Sequence, residues 1–149
     1  MGQIRSPFVS FPFVIALYYG QHKPTNLDFL NDFVDEYDVL RPNGLTFSGH
    51  TFSIIVSAVV CDAPARALVK NIKGHGGYSG CEWCVQTGEW KGKMTFPDMK
   101  SQHRADENFE KMLGDDHHLG PSPLTGKGIG MVSQFVLDYM HLVCLGIVR

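Results

Sequence analysis

Val56-Ser-Ala-Val-Val-Cys-Asp62-Ala-Pro-Ala-Arg66 is an apolar run that ends on an acid and turns at once into a helix start. It continues into Lys70-Asn-Ile-Lys73-Gly-His75-Gly-Gly-Tyr78-Ser-Gly-Cys81-Glu-Trp-Cys84, a basic segment followed by a glycine-rich turn that holds a Cys-x-x-Cys pair. Phe52, Ile54, Val56, Ala58 and Val60 alternate, which predicts one strand over Thr51 to Cys61 with those side chains on a single face. Pro64 is tolerated in the first turn of a helix, so Ala63 to Ile72 reads as a short helix. A strand delivering a carboxylate, then a helix, then a thiol turn defines an α/β chain.

Working outward, Phe11 to Gly20 (FPFVIALYYG) is β-rich and apolar, and reads as a buried strand. Leu27, Leu30, Phe33, Val34, Tyr37 and Leu40 recur at helical spacing, with Thr25 or Asn26 as cap and Pro42-Asn43-Gly44 as the stop. Residues 74–92 carry too many glycines for regular structure and read as a compact knuckle. Asp106 to Leu113 is a short helix, and Asp115 to Gly130 is loop punctuated by Gly and Pro. Asp138 to Val148 begins another helix with Asp138 as its cap. The chain stops within the apolar Val143-Cys-Leu-Gly-Ile-Val148, where a frayed polar end is the usual pattern, so a stretch cut from something longer is the expectation.

Composition narrows the function. The chain has 149 residues, 44% of them hydrophobic and 19% charged, which suits one domain with a core. A net charge of −2 gives no global basic field, so any contact with nucleic acid rests on local patches. Four cysteines, two of them in one Cys-x-x-Cys, suit a reducing compartment with a metal or redox site. Phe8 to Gly20 follows Arg5 as a signal peptide does. Pro12 interrupts it, however, and Tyr18-Tyr19 stand where small residues belong, so secretion is not expected. No apolar run is long enough to span a bilayer.

Each chemical candidate has a plain structural alternative. Asp62 is either a metal-binding carboxylate at the C-terminal end of a central strand or simply a helix N-cap, and the two are compatible. Cys81 and Cys84 supply half of a tetrahedral zinc site, or a redox dithiol, or free thiols; the surrounding glycines favour the metal turn. His75, His103, His117, His118 and His141 are the histidines available to complete such a site. His117-His118 fall in loop and are expected to be solvated. His141 lies three residues after Asp138, on the same helical face, as a ligand or as a satisfied core residue. Arg66, Lys70, Lys73 and His75 form a basic set that meets phosphates or is a solvated helix face. Trp83 and Trp90 stack on bases or pack the knuckle.

The blocks Phe13-Val-Ile-Ala-Leu-Tyr-Tyr-Gly20, Cys61-Asp-Ala-Pro-Ala-Arg66, Lys73-Gly-His-Gly-Gly-Tyr78, Arg104-Ala-Asp-Glu-Asn-Phe109 and Leu137-Asp-Tyr-Met-His-Leu-Val-Cys-Leu-Gly146, in this order, resemble the catalytic core of CACTA-type (En/Spm-like) DNA transposases. The resemblance implies a partial RNase H-like (DDE recombinase) fold with an inserted zinc-knuckle-like element. Residues 8–73 would be the RNase H-like part, 74–130 the knuckle and loop insertion, and 131–149 a truncated return segment. It implies Asp62 as the second acid of a triad that binds Mg2+ or Mn2+. It also implies Cys81 and Cys84 as structural zinc ligands, with His141 and Asp138 from the later element. DNA at transposon ends would be the partner, the location nuclear or cytoplasmic, and a homo-oligomer is among the assemblies open to it. The first and third acids have no counterpart here, so cleavage and strand transfer are not expected of this chain alone. A zinc-stabilised module that binds DNA or protein without catalysis is the alternative, and a thiol oxidoreductase a third reading.

Overall fold

The computed structural model describes residues 1–112, 116–140 and 144. A 3-10 turn over Asp28–Leu30 leads into α1, Asn31–Asn43. Asn26 opens the turn, its Oδ1 accepting from the Asp28 amide at 3.2 Å. Pro42 lies inside the last turn of α1, where it offers no N–H to the helix, and α1 ends one residue later at Asn43 with Gly44 as its C-cap. Gly44 has φ 71°, and a Cβ there would lie 2.7 Å from the Phe52 carbonyl oxygen, so this turn requires glycine.

β1, Leu45–Phe47, and β2, His50–Phe52, form an antiparallel hairpin. Ser48 and Gly49, both at positive φ, make its two-residue turn, the conformation whose twist matches the flanking strands. β3 is Val59–Cys61, and α2 is Ala63–Lys70. A second hairpin joins β4, Glu89–Trp90, to β5, Met94–Thr95. α3 is Asp106–Glu110, and β6 is Phe135–Leu137. β6 lies parallel to β3 in the register Val59↔Phe135, Val60↔Val136, Cys61↔Leu137. Among the described residues the strands form three two-stranded sheets, not one larger sheet.

The core collects Val34 and Tyr37 from α1, Val69 from α2, Ile72, Phe109 from α3, and Leu124, Ile129, Met131, Val132 and Phe135 from the return segment. Phe29, Leu30, Ile54, Val56, Val59 and Ala67 pack against it. Side-chain hydrogen bonds help to hold the long return loop. The Ser122 hydroxyl donates to the Val69 carbonyl at 2.7 Å. Asn71 Nδ2 donates to the Pro121 carbonyl at 3.0 Å. The Asp106 carboxylate gathers the Val132 and Ser133 amides, at 2.6 and 3.0 Å, and the Ser133 hydroxyl.

Two sequence expectations need correction. The strand over Thr51 to Cys61 is interrupted. Phe52, Ile54 and Val56 do turn inward as the alternation requires, but the phase slips by one residue at Ser57-Ala58. Val59 and Cys61 then face inward and Val60 is 63% exposed. Gln134 accounts for the break. Its side chain donates to the Val56 carbonyl, and its own carbonyl accepts from the Val59 amide at 2.8 Å, so pairing starts only there. Phe11 to Gly20 is likewise not a buried strand. It is irregular, with a single bridge from Gly2 to Phe13, and Phe11 and Leu17 are 92% and 87% exposed. A strand needs a partner for its backbone groups, and no other described segment pairs with this one. The helix expected from Asp138 falls largely outside the described residues; Asp138 Oδ1 does accept from the Met140 amide at 3.2 Å.

Candidate functional site

Asp62 leaves the C-terminal end of β3 in extended conformation, φ −65° and ψ 166°, and caps α2. Its Oδ1 accepts from the Ala65 amide at 2.8 Å, which satisfies one of the orphan donors of the first turn. Because Cys61 stands opposite Leu137 in the parallel ladder, Asp62 and Asp138 are the next residues along at the same end of the pair. Two carboxylate-bearing residues therefore flank one strand end, the end at which open α/β sheets place their sites. Asp138 was expected beside the thiols, and the structure sets it at this strand end instead.

The thiol turn is built by glycines and by a facing strand segment. Gly80 is buried, and a Cβ there would lie 2.3 Å from the Gly74 carbonyl oxygen, so the chain folds back on itself only without a side chain. Cys84 pairs with His103 in an isolated antiparallel bridge, flanked by the Val85 amide on the Gln102 carbonyl at 3.0 Å and the Arg104 amide on the Trp83 carbonyl at 2.9 Å. Cys81 Sγ and Cys84 Sγ are 2.9 Å apart. The amides of Trp83 and Cys84 are directed at the Cys81 sulfur, and that of Gln86 at the Cys84 sulfur. The Gln86 side-chain amide donates to Cys84 Sγ at 3.0 Å, and Ser101 adds a further hydrogen bond.

The two thiols are shifted in opposite directions. Burial pushes the Cys81 thiol up, and its hydrogen bond to Cys84 adds to this. Burial also opposes ionisation of Cys84, but the hydrogen bonds from Cys81 and Gln86, followed by Ser101, outweigh it and hold this thiol below its ordinary value. Of the two sulfurs, Cys84 is therefore the more readily ionised. Thiolate is the form that a metal or an electrophile requires. A tetrahedral zinc with Zn–S bonds of about 2.3 Å places two sulfurs roughly 3.8 Å apart. The pair fits such an ion if the turn opens by somewhat under an ångström (roughly). Among the described residues no group of three or more His, Cys, Asp or Glu stands together as a metal cage, so Asp138 is not gathered with the cysteines. His141 lies outside the described residues.

The basic set divides. Arg66 Nε donates to both oxygens of Glu82, at 2.9 and 2.8 Å, and Lys70 Nζ reaches the same carboxylate at 3.2 Å. Lys70 is 2% exposed, and its ammonium lies over the rings of Phe109 and Phe135 at 5.0 and 5.5 Å. Burial lowers its pKa, against the pull of Glu82. Arg66 and Lys70 therefore turn inward to the knuckle, and neither presents a solvated face to phosphate. Lys73 pairs with Asp116, and His75 is exposed.

Sequence reasoning missed Glu82, the residue between the cysteines that binds α2 to their turn. Its signal was present: Arg66, Val69 and Lys70 share one face of α2 by i,i+3 and i,i+4 spacing, so an apolar face carries two cations that need an anion. The expectation of solvated His117 and His118 is also overturned. His117 is fully buried, with Nδ1 2.7 Å from the Ser79 carbonyl oxygen, and the His118 ring packs on Phe109 at 4.4 Å between centroids. The cause is backbone pairing: the Lys73 amide donates to the His117 carbonyl and the Leu119 amide to the Asn71 carbonyl, which draws this loop under the knuckle.

Comparison with family models, curated proteins and solved structures found no match to this chain. Among the described residues no helix is long and apolar enough to cross a membrane.

Proposed function

We propose that the chain is part of the catalytic core of a CACTA-type DNA transposase, with an RNase H-like ancestry, and that Asp62 is one of its metal-binding acids. The observation that carries this reading is the position of Asp62 at the C-terminal end of a parallel strand pair, where its carboxylate both caps α2 and borders the strand end shared with Asp138. Bound Mg2+ or Mn2+ would supply water activation and stabilise the leaving oxygen. Asp62 would contribute negative oxygens to hold such an ion, and its bond to the Ala65 amide would fix their direction. Cys81 and Cys84 would hold a structural zinc, with the remaining ligands from the segment that contains His141.

A single acid of the triad does not hold two cations between attacking and leaving oxygens. We therefore propose that this polypeptide alone does not transpose. The test is a strand-transfer assay on transposon-end oligonucleotides with Mg2+ or Mn2+. This chain yields no product, whereas a chain extended through its natural reading frame cuts DNA and loses that activity on Asp62→Asn. Activity from this chain alone, or an extended enzyme indifferent to Asp62→Asn, contradicts the reading.

One observation favours a second reading, a zinc-stabilised interaction module without catalysis. Arg66 and Lys70 spend their charge on Glu82, which makes the knuckle a part of the scaffold and not a phosphate clamp.

A further inference from the structure

The sulfurs of Cys81 and Cys84 stand 2.9 Å apart as free thiols, and their surroundings differ. Cys84 is fixed. Its backbone is bridged to His103, the Val85 amide donates to the Gln102 carbonyl, and the residue is 8% exposed. Gln86 Nε2 donates to its sulfur and to the Asp98 carbonyl, both at 3.0 Å, while Gln86 Oε1 accepts from the Asp98 amide at 2.8 Å. The buried sulfur is thereby held at a set place beside Cys81. Cys81 is only half-buried, so of the two it is the sulfur that a molecule in solution meets first.

A disulfide needs these two sulfurs and nothing else, whereas among the described residues no further His, Cys, Asp or Glu stands with them. Its bond length is about 2.05 Å, so closure takes roughly 0.9 Å, within reach of a side-chain rotation at Cys81. Two thiols already in contact also make the closing step intramolecular, which favours it strongly over attack by a second molecule.

We propose that Cys81 and Cys84 form a dithiol–disulfide exchange site, with Cys81 as the sulfur that receives a low-molecular-weight disulfide and Cys84 as the sulfur that resolves it. Cys81 Sγ bonds to one sulfur of the incoming disulfide, whose S–S bond breaks and whose other half leaves as a thiol with the Cys81 proton. Cys84 Sγ then bonds to Cys81 Sγ, and the second half leaves as a thiol with the Cys84 proton. The chain is oxidised by two electrons and the small disulfide is reduced by two. No metal takes part; zinc on both sulfurs and a bond between them exclude one another.

The experiment equilibrates the full chain with oxidised glutathione at fixed reduced glutathione, with EDTA, in native buffer and in concentrated urea. Alkylation and trypsin then report the peptide 74–91, which carries both cysteines. It should lose two hydrogens as an internal disulfide. Half-oxidation in native buffer should need about tenfold less oxidised glutathione than in urea, within the usual range for linked equilibria. Cys84→Ser should stop at a glutathione adduct on Cys81. Cys81→Ser should take up glutathione at Cys84 several-fold more slowly, since that sulfur is buried. A peptide that stays a dithiol, or carries only glutathione adducts, overturns the exchange site. So does half-oxidation that urea leaves unchanged or makes easier. Faster uptake at Cys84 than at Cys81 in the single variants overturns the assigned order of the sulfurs.

Discussion

At the scale of single residues, the side chains that matter most here are acids with defined donors. Asp62 caps a helix, Glu82 anchors two cations and Asp106 organises a turn. Asp62→Ala should lower stability by about 1 kcal/mol, the usual value of an N-cap, and Asp62→Asn by less, as read from urea denaturation midpoints. Asp106 adds a pH dependence. Burial opposes its ionisation, but the Ser133 hydroxyl and the Val132 and Ser133 amides outweigh that and hold the carboxyl below its ordinary value. Its contribution is therefore fully present above the unfolded carboxyl pKa and is lost as pH falls through the lower folded one. Acid unfolding followed by circular dichroism should show that component in the natural chain and lack it in Asp106→Asn. The cap at Asp62 was legible in the sequence because its partner lies three residues away. For Glu82 only half was legible: the two cations on the apolar face of α2 call for an anion, but that anion lies 12 and 16 residues away and meets them only after the glycine turn has folded back.

At the scale of elements, local signals pointed to the three helices (periodicity for α1, Pro64 in a first turn for α2) but not to the course of the central strand. The alternation from Phe52 to Val56 holds, and the slip before Val59 comes from Gln134, a residue 78 positions from Val56 in sequence. No local pattern contains that information. Similarly, the loop that carries His117 and His118 reads as solvent-exposed by composition, yet pairing with residues 71–73 takes it inside. Phe109 from α3 and Phe135 from β6 meet over the Lys70 ammonium and fasten three elements together. Phe135→Ala should cost about 3–5 kcal/mol, the range for a fully buried aromatic, and a thermal melt will show whether the chain remains folded. Gly80→Ala places a methyl group against the Gly74 and Gly77 carbonyls, at 2.3 and 2.8 Å. It should unravel the thiol turn, seen as faster alkylation of Cys81 and Cys84 by iodoacetamide, with α1 unaffected.

At the scale of the whole molecule, Asp62 links a parallel strand pair to the helix it caps, and buried charge ties the cysteine turn to that helix. Zinc in protein purified without chelators tests this arrangement most directly. The account predicts about one zinc per chain, protection of Cys81 and Cys84 from alkylation while the metal is bound, and loss of both on Cys84→Ser. Protein that carries no zinc and has two freely alkylated thiols, or a Cys84→Ser variant that retains its zinc, would contradict it.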